Sequence, residues 1–125
     1  MHFICVGTPQ QKDGIAADLT YVDAAFNSVA KYAKAGSLLV GKSTVPVGTA
    51  EKIKSELANS HPTLELAWNP EFLREGFAVE DTLRPNRLVV GVTSDKAEKV
   101  LQEVYQSLLK IMCHGLDRFT HGRTS

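Results

Sequence analysis

The sequence predicts an α/β domain built around a mostly parallel sheet. Four short apolar runs alternate with segments in which apolar residues recur every three or four positions. This alternation is typical of βαβ units, whose crossovers are right-handed. The chain of 125 residues is about the size of one domain, and no repeat or low-complexity tract interrupts the series.

The predicted strands are short apolar runs, as expected for strands that are buried in a parallel sheet. They cover residues 3–6, 37–40, 64–68 and 87–92. Three longer helices are predicted between and after them: the first begins at the N-cap Asp18 and ends before Gly36, the second covers about residues 48–59, and the third follows Ser94. Lys52 and Glu56 are expected to pair on the surface of the second helix. The inward-facing residues are predicted to be Leu19, Val22, Phe26, Val29, Ala30 and Ala33, then Ile53 and Leu57, then Ala97, Val100, Leu101, Val104, Leu108 and Leu109.

The segment Asn-Pro-Glu-Phe-Leu-Arg-Glu-Gly at residues 69–76 follows the third strand directly. Asn69 can serve as an N-cap and Pro70 suits a first helical position, so a short helix with Glu71 and Glu75 on one face is predicted here. In open α/β sheets, ligands bind at the carboxyl ends of the strands. Acids in a first helical turn are also favoured by the helix dipole whatever the function, so this segment alone does not assign a site.

Two other strand-to-helix junctions carry small or hydroxylated residues. The first is residues 6–10, in which Gly7 permits close approach to the backbone and Pro9 stiffens the turn. The second is residues 42–49, in which hydroxyl groups precede a helix that opens soon after Pro46. Each junction alone is more often ordinary turn chemistry, and Lys42 is interpreted as a solvated strand end. The convergence of three junctions on one edge of a sheet predicts a ligand site.

Composition narrows the possible functions. The 14 basic and 14 acidic residues balance, and no basic block is present, which argues against a nucleic-acid partner. No apolar stretch approaches the roughly 20 residues that cross a bilayer, and the N-terminus is unlike a signal peptide, so a soluble, cytoplasmic chain without a membrane partner is expected. Cys5 and Cys113 lack metal-ligand spacing, so no metal site is predicted, and Cys5 is expected to be a small buried hydrophobe.

Taken together, the motifs resemble the nucleotide-sugar dehydrogenases, and within them the UDP-glucose 6-dehydrogenases. The similarity extends over roughly residues 3–109 and rests on the segments 6–9, 13–14, 18–19, 42–49, 69–76, 81 and 85–91. The resemblance implies that residues 1–110 form the second half of a Rossmann-like, doubly wound NAD-binding domain. Residues 111–125 do not resemble the family and are expected to be weakly ordered.

The resemblance also implies an activity and a set of roles. The family member would oxidise the C6 hydroxymethyl of UDP-glucose to a carboxylate, passing two hydrides to two NAD molecules in turn; GDP-mannose or a UDP-aminosugar is the alternative substrate. Glu71 would be the acid/base group that assists hydrolysis of a covalent thioester, and Thr44 would help to position a water. The residues implied to line NAD are Val6, Gly7, Thr8, Pro9, Gln10, Ser43, Thr44, Val45 and Glu75, and those bordering the UDP-sugar are Glu71, Phe72, Leu73, Arg74 and Glu75.

The sequence also departs from the family pattern. It has no Gly-rich strand-turn-helix to hold the pyrophosphate, and neither Cys5 nor Cys113 lies in surroundings like those of the family's nucleophile. We therefore expect an internal fragment that is inactive alone. The alternative is a non-catalytic nucleotide-binding or interaction module, in which an exposed sheet edge leads to a homo-oligomer or to aggregation.

Overall fold

A computed structural model describes residues 1–71, 73, 75–84, 88–112 and 120–121, and it confirms the α/β fold class. The predicted strands and the three longer helices are all present, with bounds that differ from the predictions by a few residues. In chain order the elements are β1 His2–Ile4, α1 Thr20–Tyr32, β2 Leu38–Gly41, α2 Thr49–Ser60, β3 Glu65–Trp68, α3 Ala78–Leu83, β4 Val89–Val92, α4 Asp95–Val104, α5 Gln106–Met112 and β5 Thr120–His121.

The sheet has the strand order β1-β2-β3-β4-β5. β1, β2 and β3 are parallel to one another, whereas β4 runs antiparallel to β3, with Trp68 opposite Gly91. β5 pairs in parallel with β4. A parallel return after β3 would need a crossover helix packed on the sheet. The helix that follows β3 is α3, which has six residues and buries none of them, so the chain returns antiparallel.

Two apolar cores lie on opposite faces of the sheet, as a doubly wound fold requires. On the face covered by α1 and α2, Phe26 stacks on Trp68 with ring centroids 5.4 Å apart, and Ile53 and Leu57 are buried beside them. On the other face, α4 packs on β2, β3 and β4. That second core contains Leu38, Val40, Ala67, Leu88, Val90, Ala97 and Leu101.

The first two helices begin with different local chemistry. The N-cap of α1 is Leu19, one residue after the predicted N-cap Asp18. The Asp18 carboxylate accepts hydrogen bonds from the Thr20 backbone N–H at 3.0 Å and from the Thr20 hydroxyl at 2.6 Å, and these bonds lower the pKa of Asp18. The N-cap of α2 is Gly48, with φ of 90°, a left-handed conformation that glycine adopts without strain. On the surface of α2, the predicted pair of Lys52 and Glu56 is present at 3.7 Å.

The third predicted helix is divided into α4 and α5 at Tyr105. The start was predicted correctly, because the Ser94 hydroxyl accepts a hydrogen bond from the Ala97 backbone N–H at 3.1 Å. The apolar period runs through the break, so the sequence pattern does not reveal it. Residues 111–112 end α5 and residues 120–121 form β5; the weak order expected for the segment 111–125 remains a prediction.

The prediction for Cys5 was wrong, because its side chain is exposed. It follows the last residue of β1, which is the edge strand of the sheet. Phe3, on the same strand, is also 41% exposed. Cys113 lies outside the described residues. Within the described part of the chain, no helix is long and apolar enough to cross a membrane.

Candidate functional site

The loops that follow β1, β2 and β3 meet at one edge of the sheet because these strands are parallel. The hydrogen-bonding pattern continues just past the strands. The Lys42 backbone N–H donates to the Ile4 carbonyl at 2.9 Å, and the Asn69 backbone N–H donates to the Gly41 carbonyl at 2.8 Å. The three predicted junctions therefore start side by side on a rigid ladder.

Two side-chain hydrogen bonds join the first junction to the second. The Ser43 hydroxyl donates to the Val6 carbonyl, and the Thr8 hydroxyl donates to the Thr44 carbonyl at 3.1 Å. A hydroxyl group that donates its proton keeps lone pairs that can accept a hydrogen bond. The structure thus brings together four of the residues implied to line the cofactor, and two of them retain acceptor capacity.

Gly7 lies between these joined residues and is exposed. Apart from Gly7 and its two chain neighbours, no atom of the described residues lies within 4 Å of a Cβ atom built on Gly7, and its backbone is not in the left-handed region. Neither packing nor conformation in the described part of the chain therefore requires glycine here. An open backbone position of this kind fits a ligand, such as NAD, that approaches the main chain closely.

Pro9, Gln10 and Val45 lie apart from this contact. The Pro9 carbonyl accepts a hydrogen bond from the Asp18 N–H at 2.7 Å, and Gln10 forms an isolated antiparallel bridge with Ala17. These contacts close the base of the loop 9–18. Val45 is half-buried against the core under α1 and α2. Their contacts within the chain are accordingly structural.

The short helix predicted after Asn69 is not seen among the described residues of the segment 69–76, and α3 begins at Ala78. Glu71 and Glu75 are both exposed, and the chain turns at Gly76, where φ is 78°. The two acids therefore do not share a helical face. Leu73 is exposed as well, whereas Phe72 and Arg74, implied to border the sugar nucleotide, lie outside the described residues.

Asn69 does not serve as the predicted N-cap. Its side chain is 1% exposed and points into the protein, where Oδ1 accepts hydrogen bonds from Lys42 Nζ at 3.0 Å and from the Tyr105 hydroxyl at 2.6 Å. Its Nδ2 donates to the Val89 carbonyl at 2.7 Å. The carboxamide joins β2, β4 and the α4–α5 junction, so it is not available as a cap. In the sequence, the only indication of a special role for Asn69 was its position between an apolar run and a proline.

Trp68 sets the position of the second junction, a role that sequence reasoning missed. Its indole N–H donates to the Ser43 carbonyl at 2.9 Å. The ring covers Gly41 so closely that a Cβ atom there would lie 2.6 Å from Trp68 Cε3. Ring and glycine together hold the Ser43 carbonyl at the edge of the core. Strand propensity gave no indication of this contact.

Lys42 is the described lysine at the carboxyl ends of the strands whose pKa is shifted. Lys42 is half-buried, and burial lowers its pKa, while the nearby Cys5 and Glu71 act in the opposite direction. The pKa of Tyr105 is raised, chiefly by burial and then by Cys5. Lys42 is hydrogen-bonded and partly buried, so its interpretation as a solvated strand end was wrong. Among the described residues, no group of three or more His, Cys, Asp or Glu side chains could hold a metal ion.

A mostly parallel sheet with helices on both faces and an open, hydroxyl-bearing edge at the strand carboxyl ends is typical of dinucleotide-binding α/β domains. Comparison with known proteins identifies the family. The family description "UDP-glucose/GDP-mannose dehydrogenase family, NAD binding domain" matches residues 1–109. The UDP-glucose 6-dehydrogenase of Rhizobium meliloti is 43% identical over 110 residues, which make up 85% of this chain and 25% of that protein.

Two solved structures are also similar. The UDP-glucose dehydrogenase from Pyrobaculum islandicum is 41% identical with a TM-score of 0.73, and the match covers 85% of this chain and 26% of that one. The UDP-D-ManNAc dehydrogenase from Pyrococcus horikoshii is 32% identical with a TM-score of 0.73 and the same coverage, 85% and 26%. The chain belongs to the UDP-glucose/GDP-mannose dehydrogenase family and matches its NAD-binding domain. It spans about a quarter of the length of these relatives.

Proposed function

We propose that residues 1–110 form part of the NAD site of a UDP-glucose 6-dehydrogenase. The reaction would convert UDP-glucose, two NAD and water to UDP-glucuronate and two NADH. The observation that carries the proposal is the pair of hydrogen bonds between the first two junctions. The Ser43 hydroxyl donates to the Val6 carbonyl and the Thr8 hydroxyl donates to the Thr44 carbonyl. The open backbone of Gly7 lies between these bonds. The activities for which the relatives at 43% and 41% identity are named support this substrate.

Each side of the edge has a distinct role in this proposal. Val6 to Thr8 and Ser43 to Thr44 would hold NAD, which accepts the hydride when bound. Glu71 would act as acid or base, since its carboxylate is exposed at the ligand edge and lies near a cation, Lys42. Thr44 is exposed and would position a water there.

Calorimetric titration with NADH tests the cofactor part. The matched variants are Gly7→Val and Gly14→Val, because both glycines are exposed and neither has a positive φ. We expect Gly7→Val to weaken NADH binding at least about tenfold, equivalent to about 1.4 kcal/mol, because the side chain fills the open approach. Gly14→Val, in the loop 9–18, should bind as the parent does. Equal affinity of all three proteins would refute the placement.

We further infer that residues 1–125 do not complete the reaction alone. They contain no Gly-rich pyrophosphate turn, and the described cysteine, Cys5, directly follows the edge strand β1 and does not lie in surroundings like those of the family's nucleophile. NADH formation is therefore expected to be undetectable when NAD and UDP-glucose are mixed with the purified chain. Turnover in that assay would overturn the inference.

The choice of sugar nucleotide rests on the sequence identities of the relatives. The solved UDP-D-ManNAc dehydrogenase has the same TM-score as the UDP-glucose dehydrogenase but a lower identity, 32% against 41%. We favour UDP-glucose on that difference. Ligand-observed NMR with UDP-glucose, GDP-mannose and a UDP-aminosugar, each added separately, would compare the candidates. Preferential saturation transfer to either alternative would replace UDP-glucose in the proposal.

A second candidate function is that of an interaction module. It is favoured by β1, which ends the sheet, and by the exposure of Met1 and Phe3 on or beside it. Sedimentation velocity should show association that increases with concentration and that Phe3→Glu abolishes, while Tyr32→Ser, at an exposed position on α1, leaves it unchanged. A monomer at all concentrations would contradict this function without affecting NADH binding.

A further inference from the structure

Tyr105 stands on a rigid support at the break between α4 and α5. It directly follows α4, whose Ala97 and Leu101 are completely buried against the sheet. Its backbone N–H donates to the Leu101 carbonyl at 2.9 Å, and its ring packs against the core under α4. The position of the Tyr105 hydroxyl is therefore set by the packing of α4.

The Tyr105 hydroxyl reaches the end of β2 through one buried side chain. It donates to Asn69 Oδ1 at 2.6 Å, and the same oxygen accepts the Lys42 ammonium at 3.0 Å. Asn69 Nδ2 donates to the Val89 carbonyl at 2.7 Å, which fixes the orientation of the carboxamide. Asn69 is 1% exposed, and in a buried network each hydrogen bond depends on its neighbours. Loss of the Tyr105 hydroxyl should therefore displace the Lys42 ammonium.

The segment after β2 is held from both faces of the sheet. On the face covered by α4, Asn69 holds the side chain of Lys42. On the opposite face, the indole N–H of Trp68 donates to the Ser43 carbonyl at 2.9 Å. Trp68 and Asn69 are consecutive, and successive side chains along a strand point to opposite faces. Release of either contact leaves the segment that contains Ser43 and Thr44 held from one face alone.

We propose that Tyr105 is a positioning residue of the cofactor site: through the Asn69 carboxamide its hydroxyl fixes Lys42, and it thereby holds Ser43 and Thr44 where NAD would bind. The inference rests on the proposed function, because Ser43 and Thr44 hold NAD only there. It extends that function by assigning a role to a residue at the α4–α5 break, on the other side of the sheet from α2. Tyr105 acts through Asn69 and Lys42 and makes no contact with the ligand itself.

The first test measures the coupling without any ligand, from the backbone amide signals of Ser43 and Thr44 in NMR spectra of the 125-residue protein. Tyr105→Phe keeps the ring and removes the hydroxyl, so we expect both signals to shift. Tyr32→Phe, at an 80% exposed position at the end of α1, is the matched control and should leave them unchanged.

Substitution of Lys42 tests the same path from its other end. Lys42→Met removes the donor to Asn69 and should shift the signals of Ser43 and Thr44 as Tyr105→Phe does. Lys42→Arg keeps a cationic donor and should retain more of the parent signals. Equal disturbance by Lys42→Met and Lys42→Arg would overturn the inference, since simple packing would then account for the shifts.

The second test is NADH calorimetry on variants shown to be folded by circular dichroism. We expect Tyr105→Phe to weaken NADH binding about threefold to tenfold, the change that one hydrogen bond of a network is worth. The double variant with Lys42→Met should bind no more weakly than Lys42→Met alone, because both substitutions break one path. A general loss of stability would instead give independent, additive losses.

The possible failures are distinguishable. Unchanged Ser43 and Thr44 signals in Tyr105→Phe, unchanged NADH affinity, or additive losses would overturn this inference while the parent still binds NADH. Absence of NADH binding by the parent would refute the proposed function, and the positioning role with it, even where the amide signals respond to Tyr105→Phe.

Discussion

The segments that follow β2 and β3 begin at the same edge of the sheet but are held very differently. The segment after β2 bonds to the first junction through Ser43 and continues into α2, which buries Thr49, Ile53 and Leu57. The segment after β3 continues into α3, which buries no residue. Among the described residues, the buried side chain of Asn69 anchors the segment after β3, whereas the segment after β2 is supported by a whole helix. Substitutions in the two segments should differ accordingly.

The largest effect on stability is expected from Trp68→Ala, which removes a contact that supports the segment after β2. The substitution removes the stack on Phe26, the cover of Gly41 and the bond to the Ser43 carbonyl. Loss of a buried tryptophan side chain costs about 3–5 kcal/mol. Urea unfolding followed by circular dichroism should show this decrease in the free energy of unfolding. A loss below 1 kcal/mol would mean that the core under α1 and α2 does not support Ser43.

The second largest effect on stability is expected from Asn69→Leu, which removes the hydrogen bonds that anchor the segment after β3. Leucine has a similar volume but leaves Lys42 Nζ, the Tyr105 hydroxyl and the Val89 carbonyl without this partner. A buried polar group left unsatisfied costs about 1–3 kcal/mol. Urea unfolding measures the loss, and the double variant Asn69→Leu with Tyr105→Phe is the control. The double variant should be no less stable than Asn69→Leu, since the unsatisfied hydroxyl is gone. Additive losses would contradict the shared network.

A much smaller effect is expected from Leu83→Ser on α3. Leu83 is 59% exposed, so its replacement removes little buried surface. Exposed substitutions usually change stability by less than about 0.5 kcal/mol. The matched substitution on α2 is Leu57→Ser, at a residue that is 5% exposed, and it should cost several times more in the same urea titration. Similar costs at both sites would remove the contrast between the two segments.

The smallest expected effect concerns pH, at the start of α1. The pKa of Asp18 is lowered in the folded chain by the hydrogen bonds from Thr20. A lowered carboxyl pKa contributes stability above the unfolded value of 3.8, and that contribution is lost as the pH falls through the folded pKa. Thermal unfolding of the parent and of Asp18→Asn should therefore converge as the pH drops below 3.8. A constant difference across that range would contradict the assignment.

Sequence periodicity predicted most of the buried positions of this domain, although Val104, predicted to face inward, is 45% exposed. Phe26, Ile53 and Leu101 face the core because apolar spacing reports directly which side of a helix is covered. Asn69 and Tyr105 could not be placed in the same way, since capping rules are local and their hydrogen bonds join residues 36 positions apart. The exposure of Cys5 depends on β1 being the edge strand, which follows from strand order and not from the residues around it.

Hydrogen bonds of Ser43 with Val6 and of Thr8 with Thr44 join four of the residues that the resemblance implied to line the cofactor. Pro9, Gln10 and Val45 were implied in the same role, and they make contacts elsewhere in the chain. These tertiary contacts could not be read from the spacing of the motifs. The cofactor role of both groups stays a prediction.

Trp68 also gives the domain a built-in optical probe. It is the only tryptophan of the chain, its ring lies against Phe26, and its N–H reaches the loop that carries Ser43 and Thr44. Its fluorescence emission therefore reports on the folding of the segment after β2 without any added label. Reduced nicotinamide absorbs where tryptophan emits, so a dinucleotide that settles on this loop should quench the indole by energy transfer, whereas one bound at the far end of the sheet would quench it less.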